Sequence, residues 1–305
     1  MPFLAVNANA DQPVAVVPQP LDEALERQLA VLPAGAPVLV MLHGYRYSPS
    51  HRRNDPHRAI LAPGSQAQPQ SWPRRMGFGR GSADEGLGIA FGWEAGGSLW
   101  RAYAEAGRAA QALAALIALI RARHPGPVGI LAHSLGARVA LAALPQLAPG
   151  DVGRMVLLAG AEFAAVAQTA LASPAGQSTE VLNVTSREND LYDFLFERLL
   201  SPFDFAASAL GAGLDLPHCA TLQIDAPDHR AALQRLGYPT AAATRIICHW
   251  SGYRRPGLFP LYRAFLKRPD TLPLAMLRAA LPDALTPRWS RLPGLTLRSH
   301  PVAVH

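Results

Sequence analysis

A serine flanked by small residues interrupts the apolar stretch PVGILAHSLGARVALAAL. The unbroken apolar run Val128 to Ala132 is typical of a strand buried on both faces, and the helical pattern Leu135 to Leu147 follows it. Ser134 therefore lies at a sharp joint between a strand and a helix, where Ala132 and Gly136 leave room for a strained backbone. Such a joint exposes the hydroxyl and points the helix N-terminus toward it, as a nucleophile requires.

A second set of residues suited to the same chemistry ends the apolar run Val38 to Leu42. The run is followed by His43-Gly44-Tyr45, and Gly44 allows a substrate to approach the backbone closely. The N–H groups of Tyr45 and Leu135 are then the two predicted donors to an oxyanion. We interpret His43 as a buried histidine that holds this loop with a hydrogen bond, rather than as a proton carrier.

Both motifs resemble those of the α/β-hydrolase family. The segment around Ser134 is similar to the nucleophile elbow G-x-S-x-G, with Ala132 in place of the first glycine, and the upstream strand ends in His-Gly as in the family. The resemblance implies a mostly parallel, doubly wound sheet with helices on both faces. It also implies a serine nucleophile, an acid and a histidine in that chain order, and neither a metal nor an organic cofactor.

The predicted acid is Asp190, which follows the strand candidate Glu180 to Thr185 in the segment VLNVTSRENDLYDF. An aspartate at this position is also a favoured helix cap, and the helical pattern Leu191 to Leu200 begins directly after it. Glu188 and Asp193 are less favourably placed neighbours. Glu162, after the strand candidate Arg154 to Leu158, is the alternative acid.

The predicted base is His249, which ends the apolar run Ile246 to Cys248 and begins a glycine-containing loop. His229 falls in the first turn of a predicted helix. His218 precedes the strand candidate Ala220 to Asp225, and this end of the strand is the wrong one for the active face of the sheet. The segment CHWSGYRRPGLFPLYRAF resembles the closing segment of a poorly characterised bacterial branch of the family. His300 and His305 lie in the tail, where we expect solvated side chains.

The same bacterial branch is similar to this chain in AFGWEAGGSLWRAYAEAG, where Trp-Pro-Ser is usual and this chain has Trp93-Glu94-Ala95. The surrounding pattern predicts a strand over Leu87 to Trp93 and a helix over Ser98 to Arg123, capped by Ser98. Arg245 to Cys248 is a weaker strand candidate.

Three segments depart from the alternation of strands and helices. Residues 46–81 are polar, basic and rich in Pro and Gly, which predicts an insertion or long loop. Residues 191–217 are rich in Phe and Leu and are interpreted as a lid. Residues 269–305 carry six prolines and are expected to follow the surface without regular structure. Residues 1–268 are then the hydrolase domain.

The predicted substrate is a small carboxylic ester, or a thioester, with a mostly apolar acyl group. Gly44, His133, Phe194 and Phe203 are the predicted substrate contacts, although ordinary core packing explains the aromatic residues of the lid equally well. The arginines of residues 46–58 face either solvent or an anionic group of the substrate. A catalytically silent scaffold that binds a ligand or a protein, and an acyltransferase, remain alternatives.

The composition narrows the class of protein further. The formal charge of +6 comes from scattered arginines without a basic stripe, so no nucleic-acid partner is expected. Cys219 and Cys248 form neither a disulfide framework nor a zinc motif. No signal-peptide pattern begins the chain, and the apolar run Ala112 to Ile120 is too short to span a bilayer. We therefore expect a cytoplasmic enzyme; the oligomeric state stays open.

Overall fold

The computed structural model describes residues 3–64, 70–79 and 85–291, in which eight strands form one sheet. The strands are β1 (Phe3–Asn9), β2 (Gln12–Ala15), β3 (Val38–Leu42), β4 (Leu87–Gly92), β5 (Val128–His133), β6 (Val152–Leu158), β7 (Glu180–Thr185) and β8 (Cys219–Gln223). Their order is β2-β1-β4-β3-β5-β6-β7-β8, and only β2 runs antiparallel to its neighbour. Every residue of β3, β4 and β5 is buried, as strands covered on both faces require.

Helices cover both faces of the sheet. They are α1 (Leu21–Ala30), α2 (Trp72–Arg75), α3 (Leu99–Arg121), α4 (Leu135–Ala143), α5 (Ala164–Leu171), α6 (Pro174–Gln177), α7 (Asp190–Leu200), α8 (Pro227–Arg235), α9 (Ser251–Arg254), α10 (Leu258–Lys267) and α11 (Leu274–Ala280). Residues of α1 and α3 to α7 belong to one buried cluster, and residues of α2 and α8 to α11 belong to the other. This arrangement confirms the predicted class, a mostly parallel, doubly wound α/β sheet with helices on both faces.

The central strands have the predicted positions. β3 and β7 have the predicted bounds, β4, β5 and β6 differ from the predictions by one or two residues at one end, and β8 differs at both ends. The parallel register of β3 and β5 pairs Leu42 with Ala132. The residues that follow the two strands therefore meet at the carboxyl edge of the sheet, where ligands bind in open α/β sheets.

Two regions of the sequence were read incorrectly. The strands β1 and β2 had not been predicted, because FLAVNAN and QPVA carry too few consecutive apolar residues to be recognised. The weaker strand candidate Arg245 to Cys248 was wrong: these residues form an irregular segment with a bend at Ile246 and Ile247, and Arg245 to Ile247 are exposed. An exposed segment without a neighbouring strand has no ladder in which to pair.

The predicted insertion and tail contain more structure than expected. Within residues 46–81, the described parts include a 3-10 helix (Pro56–Arg58) and α2, whose Trp72 is fully buried. The tail includes α11 and a second 3-10 helix (Trp289–Arg291), so the expectation of no regular structure there was wrong. His300 and His305 lie outside the described residues.

The longest helix, α3, is long and apolar enough to cross a membrane by length and composition. Half of its apolar window is nevertheless buried inside this fold, where α3 packs against α4. Ser98 caps it as predicted, accepting a hydrogen bond from the N–H of Arg101. These contacts give the helix an apolar environment within the protein itself.

Candidate active site

Ser134 has a backbone conformation that a non-glycine residue rarely adopts. Its φ of 54° and ψ of −127° lie at the joint between β5 and α4, and a φ in this range costs about 1–3 kcal/mol. The joint is held by the backbone: the N–H of Ser134 donates to the Leu158 carbonyl at 3.0 Å, and its carbonyl accepts from the N–H of Ala161 at 3.0 Å. Strain that the surrounding structure maintains in this way is typical of functional sites.

Two glycines permit close packing around the serine. A Cβ atom on Gly44 would lie 2.6 Å from the Cβ of Ser134, and one on Gly136 would lie 2.5 Å from the His43 carbonyl oxygen. The loop after β3 therefore presses against the joint after β5. The N–H groups of Tyr45 and Leu135 donate to no acceptor among the described residues. Both groups remain available to a substrate oxygen at this edge of the sheet.

His43 holds the loop that carries Gly44 and Tyr45. Its Nδ1–H donates to the Gly44 carbonyl and its Nε2 accepts from the N–H of Trp93, both at 3.0 Å. Burial lowers the pKa of His43 to about 3, so this imidazole is neutral and fixed in one tautomer. The arrangement matches the structural role that the sequence suggested for His43.

The unusual Trp93-Glu94-Ala95 sequence anchors the neighbouring loop. Glu94 accepts hydrogen bonds from the Ser48 hydroxyl at 2.7 Å and from the N–H of Ser50 at 3.2 Å. The N–H of Arg46 donates to the Ala95 carbonyl at 2.8 Å. The Glu94 carboxylate thus holds the segment directly after Tyr45.

His249 lies in a turn before α9, not at the end of a strand. The N–H of Cys248 donates to the Glu188 carbonyl at 2.8 Å, which fixes this turn to the segment after β7. His133, the residue before the serine, donates from Nε2 to the His249 carbonyl at 3.0 Å, and the two rings are 4.6 Å apart. His133 is buried, and its ring holds the His249 backbone; its role as a substrate contact stays a prediction.

Asn189, rather than Asp190, contacts the imidazole. The Nδ1–H of His249 donates to Oδ1 of Asn189 at 2.6 Å, which leaves Nε2 with its lone pair. Burial, and next the nearby His133 ring, hold the pKa of His249 well below its usual range, so the base is neutral at pH 7. The Ser134 hydroxyl makes no hydrogen bond with the described residues; such contacts are often long before substrate binds.

The predicted position of Asp190 beside His249 is therefore corrected. Asp190 Oδ1 accepts from Nε of Arg288 at 2.6 Å and from the Ser290 hydroxyl at 2.5 Å, and Oδ2 accepts from the N–H of Ser290 at 3.1 Å. Although burial alone would raise it, the hydrogen bonds from Ser290 and Arg288 lower the pKa of Asp190 below its usual value. Arg288 also donates to Glu197 at 2.6 Å. The aspartate is thus occupied by residues of the tail.

Replacing Arg288 with Met is expected to destabilise the protein by about 3–5 kcal/mol, because it leaves buried carboxylates without a counter-ion. Both Asp190 and Glu197 are completely buried. Urea unfolding at pH 8 measures the loss. Arg268→Met, at an exposed position, is the matched control and should change the free energy of unfolding by less than about 0.5 kcal/mol. Equal stability of the two variants would contradict the role of Arg288.

The other candidate acids and bases have structural partners. Glu162 pairs with Arg138 at 2.5 Å and accepts from the Tyr103 hydroxyl at 2.7 Å. Glu188 pairs with Arg255 in a buried ion pair. His229, in the first turn of α8 as predicted, accepts from the N–H of Gln223 at 3.3 Å. Burial lowers the pKa of His218 below its usual value, and that residue precedes β8 at the opposite edge of the sheet.

Exposed apolar side chains occur in the segment that contains Tyr192 and in the segment directly before His249. In the predicted lid, Phe203 is 94% exposed and Phe194 is 36% exposed, while Phe196 is buried in the core. The Tyr192 ring lies 4.8 Å from the His249 ring, which joins this segment to the site. On the other side, Ile246 is 88% exposed.

A polar cleft adjoins the loop that contains Tyr45. It has a volume of about 570 Å³, and Arg46, His51, Glu94 and Arg101 are among its lining residues. The Tyr45 hydroxyl donates to the Gly97 carbonyl, also at this cleft, at 2.7 Å. Within the described residues, no cluster of His, Cys, Asp and Glu could hold a metal ion.

Comparisons with known proteins give similar structures but no family. No protein-family model and no curated protein matches this chain. The mature form of Bacillus licheniformis lipase BlEst2 matches with a TM-score of 0.42 and 13% identity, over 77% of this chain and 94% of that one. Aspergillus fumigatus lipase B matches with a TM-score of 0.42 and 14% identity, over 90% of this chain and 65% of that one. The chain is thus similar in outline to structures described as lipases.

Proposed function

We propose that the protein is a serine hydrolase that cleaves a carboxylic ester with a mostly apolar acyl group. The observation that carries the proposal is the strained Ser134 at the joint between β5 and α4, beside the His249 turn that His133 holds. A serine has no structural need for this conformation, whereas a nucleophile needs its hydroxyl raised above the edge of the sheet.

In the proposed mechanism, the Ser134 hydroxyl attacks the ester carbonyl while Nε2 of His249 accepts its proton. The N–H groups of Tyr45 and Leu135 stabilise the negative oxygen of the tetrahedral intermediate. His249 then gives the proton to the departing alcohol, and a water molecule, activated by the same imidazole, hydrolyses the acyl-enzyme.

Asn189 takes the orienting role in this mechanism that a carboxylate usually has. An amide oxygen can hold the Nδ1–H of His249 and thus select the tautomer with a free Nε2, but it supplies no negative charge. An asparagine orients the histidine in the same way in the Cys-His-Asn sites of papain-like proteases. The proposed triad is therefore Ser134, His249 and Asn189, with Asp190 replaced as the orienting residue.

The apolar acyl preference is supported by the side chains around the imidazole. Phe194 and Phe203 expose apolar surface to solvent in the segment whose Tyr192 contacts His249, and Ile246 does so in the segment that precedes His249 in the chain. A short or medium acyl chain would remove part of that surface from water, at about 25 cal/mol per Å² buried.

A fluorophosphonate probe tests the proposed function directly. We expect one probe molecule per chain, located on Ser134 by peptide mapping, because only an activated serine reacts with it. A panel of p-nitrophenyl esters of increasing acyl length should then show a maximum kcat/KM at short to medium chains. The unfolded protein is the control. A folded protein that is not labelled, or is labelled elsewhere, would contradict the proposal.

One observation favours a catalytically silent scaffold as the second candidate. The Ser134 hydroxyl makes no hydrogen bond with the described residues, so the base does not yet hold it. Such a scaffold would fold normally, bind apolar esters and remain unlabelled by the probe. The labelling experiment therefore separates the two candidates.

A further inference from the structure

A chain of buried hydrogen bonds continues behind His249. Oδ1 of Asn189 accepts from Nδ1 of His249 at 2.6 Å, and Nδ2 of Asn189 donates to Oδ1 of Asp193 at 2.9 Å. Asp193 is 3% exposed and lies one turn along α7 from Asn189. The imidazole, the amide and the carboxylate thus form one continuous line.

The orientation of an amide side chain is fixed by its hydrogen-bond partners and not by packing, because its oxygen and nitrogen ends have nearly the same shape. An ionised carboxylate accepts hydrogen bonds but donates none, so it selects the nitrogen end of Asn189. The oxygen end then faces His249. If the amide were reversed, its N–H₂ group would face Nδ1 and would favour the opposite tautomer, with the proton on Nε2.

We propose that Asp193 is a positioning residue of the site: it fixes the Asn189 amide and so keeps Nδ1 of His249 protonated and Nε2 free for Ser134. The inference rests on the proposed role of His249 as the base. Asp193 supplies the negative charge that Asn189 lacks. This charge lies one amide farther from the imidazole than the carboxylate of a Ser-His-Asp site does.

The surroundings make the charge of Asp193 dependent on pH. Asp190 and Glu197 face it from the same helix, Arg288 from the tail, and Arg187 from the turn before α7. Burial raises the pKa of Asp193 to about 7, opposed by Arg288 and assisted by Glu197 and Asp190. Oδ2 has no partner among the described residues and lies against Gly211, where a Cβ atom would be 2.0 Å away.

The test is the pH dependence of kcat for the isosteric variant Asp193→Asn. At pH 5.5 the wild-type carboxyl is mostly neutral, so we expect nearly equal kcat values for the two proteins. At pH 9 the wild type carries the charge and the variant does not, so the variant's kcat should be about tenfold lower at an unchanged KM. Asp270→Asn, at an exposed position, is the matched control and should follow the wild type throughout.

The variant is expected to fold. Because the folded-state pKa of Asp193, about 7, lies above its unfolded-state value, wild-type stability falls as the pH rises through 7. Asparagine does not ionise and avoids that loss. A kcat reduced by the same factor at both pH values would indicate a merely structural role and would overturn the proposal, as would wild-type kcat at pH 9.

A second readout separates this inference from the proposed function. Imidazole ¹⁵N shifts at pH 8 should show the Nδ1–H tautomer of His249 in the wild type and a mixture of tautomers in Asp193→Leu, which removes the acceptor. If the wild type cleaves no ester, the proposed function fails, but the tautomer measurement still decides the positioning role. A pure Nδ1–H tautomer in both proteins would overturn it.

Discussion

Replacing Ser134 with Ala should lower kcat for ester cleavage by about 10⁴- to 10⁶-fold, because the attacking oxygen is lost while binding and oxyanion contacts remain. KM should change little, since the hydroxyl makes no contact that holds the acyl chain. Burst kinetics with a p-nitrophenyl ester measure both effects, because the burst reports the acyl-enzyme. The variant should show no burst and no fluorophosphonate label.

Thermal stability should be almost unchanged in Ser134→Ala. The hydrogen bonds that hold the joint use the backbone N–H and carbonyl of residue 134, which alanine keeps. Ser178→Ala, at an exposed position far along the chain, is the matched control and should retain full activity. A Ser134→Ala protein with more than about a tenth of wild-type kcat would disprove the role of the serine.

Replacing His249 with Ala is expected to have an effect of similar size, about 10⁴- to 10⁶-fold in kcat, because a hydroxyl without a base is a weak nucleophile. The remaining rate should increase toward alkaline pH, as hydroxide replaces the imidazole. In the wild type, by contrast, kcat/KM should fall about tenfold below pH 7, as Asp193 becomes neutral, and should be lost completely only at acid pH, where the imidazole of His249 becomes protonated. Its lowered pKa places this loss below the usual range for histidine.

His229→Gln provides the matched comparison, because His229 was the rival base in the sequence. Its ring accepts a hydrogen bond from the backbone of Gln223 and takes no part in the proposed site. The variant should therefore retain kcat within about threefold, with any loss seen in stability instead. If His229→Gln lost activity and His249→Ala kept it, the assignment of the base would be reversed.

The serine could be located from the sequence because its signal is local. A buried strand, small residues two positions before and after Ser134, and a helix are all contiguous along the chain. Tyr45 and Leu135 were similarly accessible, because the residues after two parallel strands meet at one edge of the sheet. The structure has both N–H groups at that edge without acceptors among the described residues.

The residue that contacts the His249 imidazole could not be chosen correctly from the sequence. Asn189 and Asp190 are adjacent, and the two side chains point in different directions because α7 begins between them. The two residues differ in their partners, because Asp190 forms an ion pair with Arg288, which lies ninety-eight residues farther along the chain. No local pattern reveals a long-range ion pair, and the six prolines of the tail suggested a segment that contributes nothing to the interior.

The strands β1 and β2 were missed for another reason. β1 alternates partly exposed with buried residues at the border of the sheet, and β2 has no residue that is fully buried. β2 is the edge strand and pairs with β1, and β1 owes its own position to backbone pairing with β4, which is distant in sequence. Side-chain patterns, from which strands are recognised, carry little of that information.

The contact between Arg288 and α7 has a consequence for the order of assembly during translation. At about 5–20 residues per second, the ribosome needs about 5–20 seconds to proceed from Asp190 to Arg288. Throughout that interval the emerging chain has Asp190 and Glu197 without the cation that later neutralises them. The sheet can form first. Helix α7, which follows Asn189, can pack into its buried position only after Arg288 has left the exit tunnel of the ribosome. The joint that carries the proposed nucleophile can therefore form early, whereas the support of the proposed base is completed among the last steps of folding.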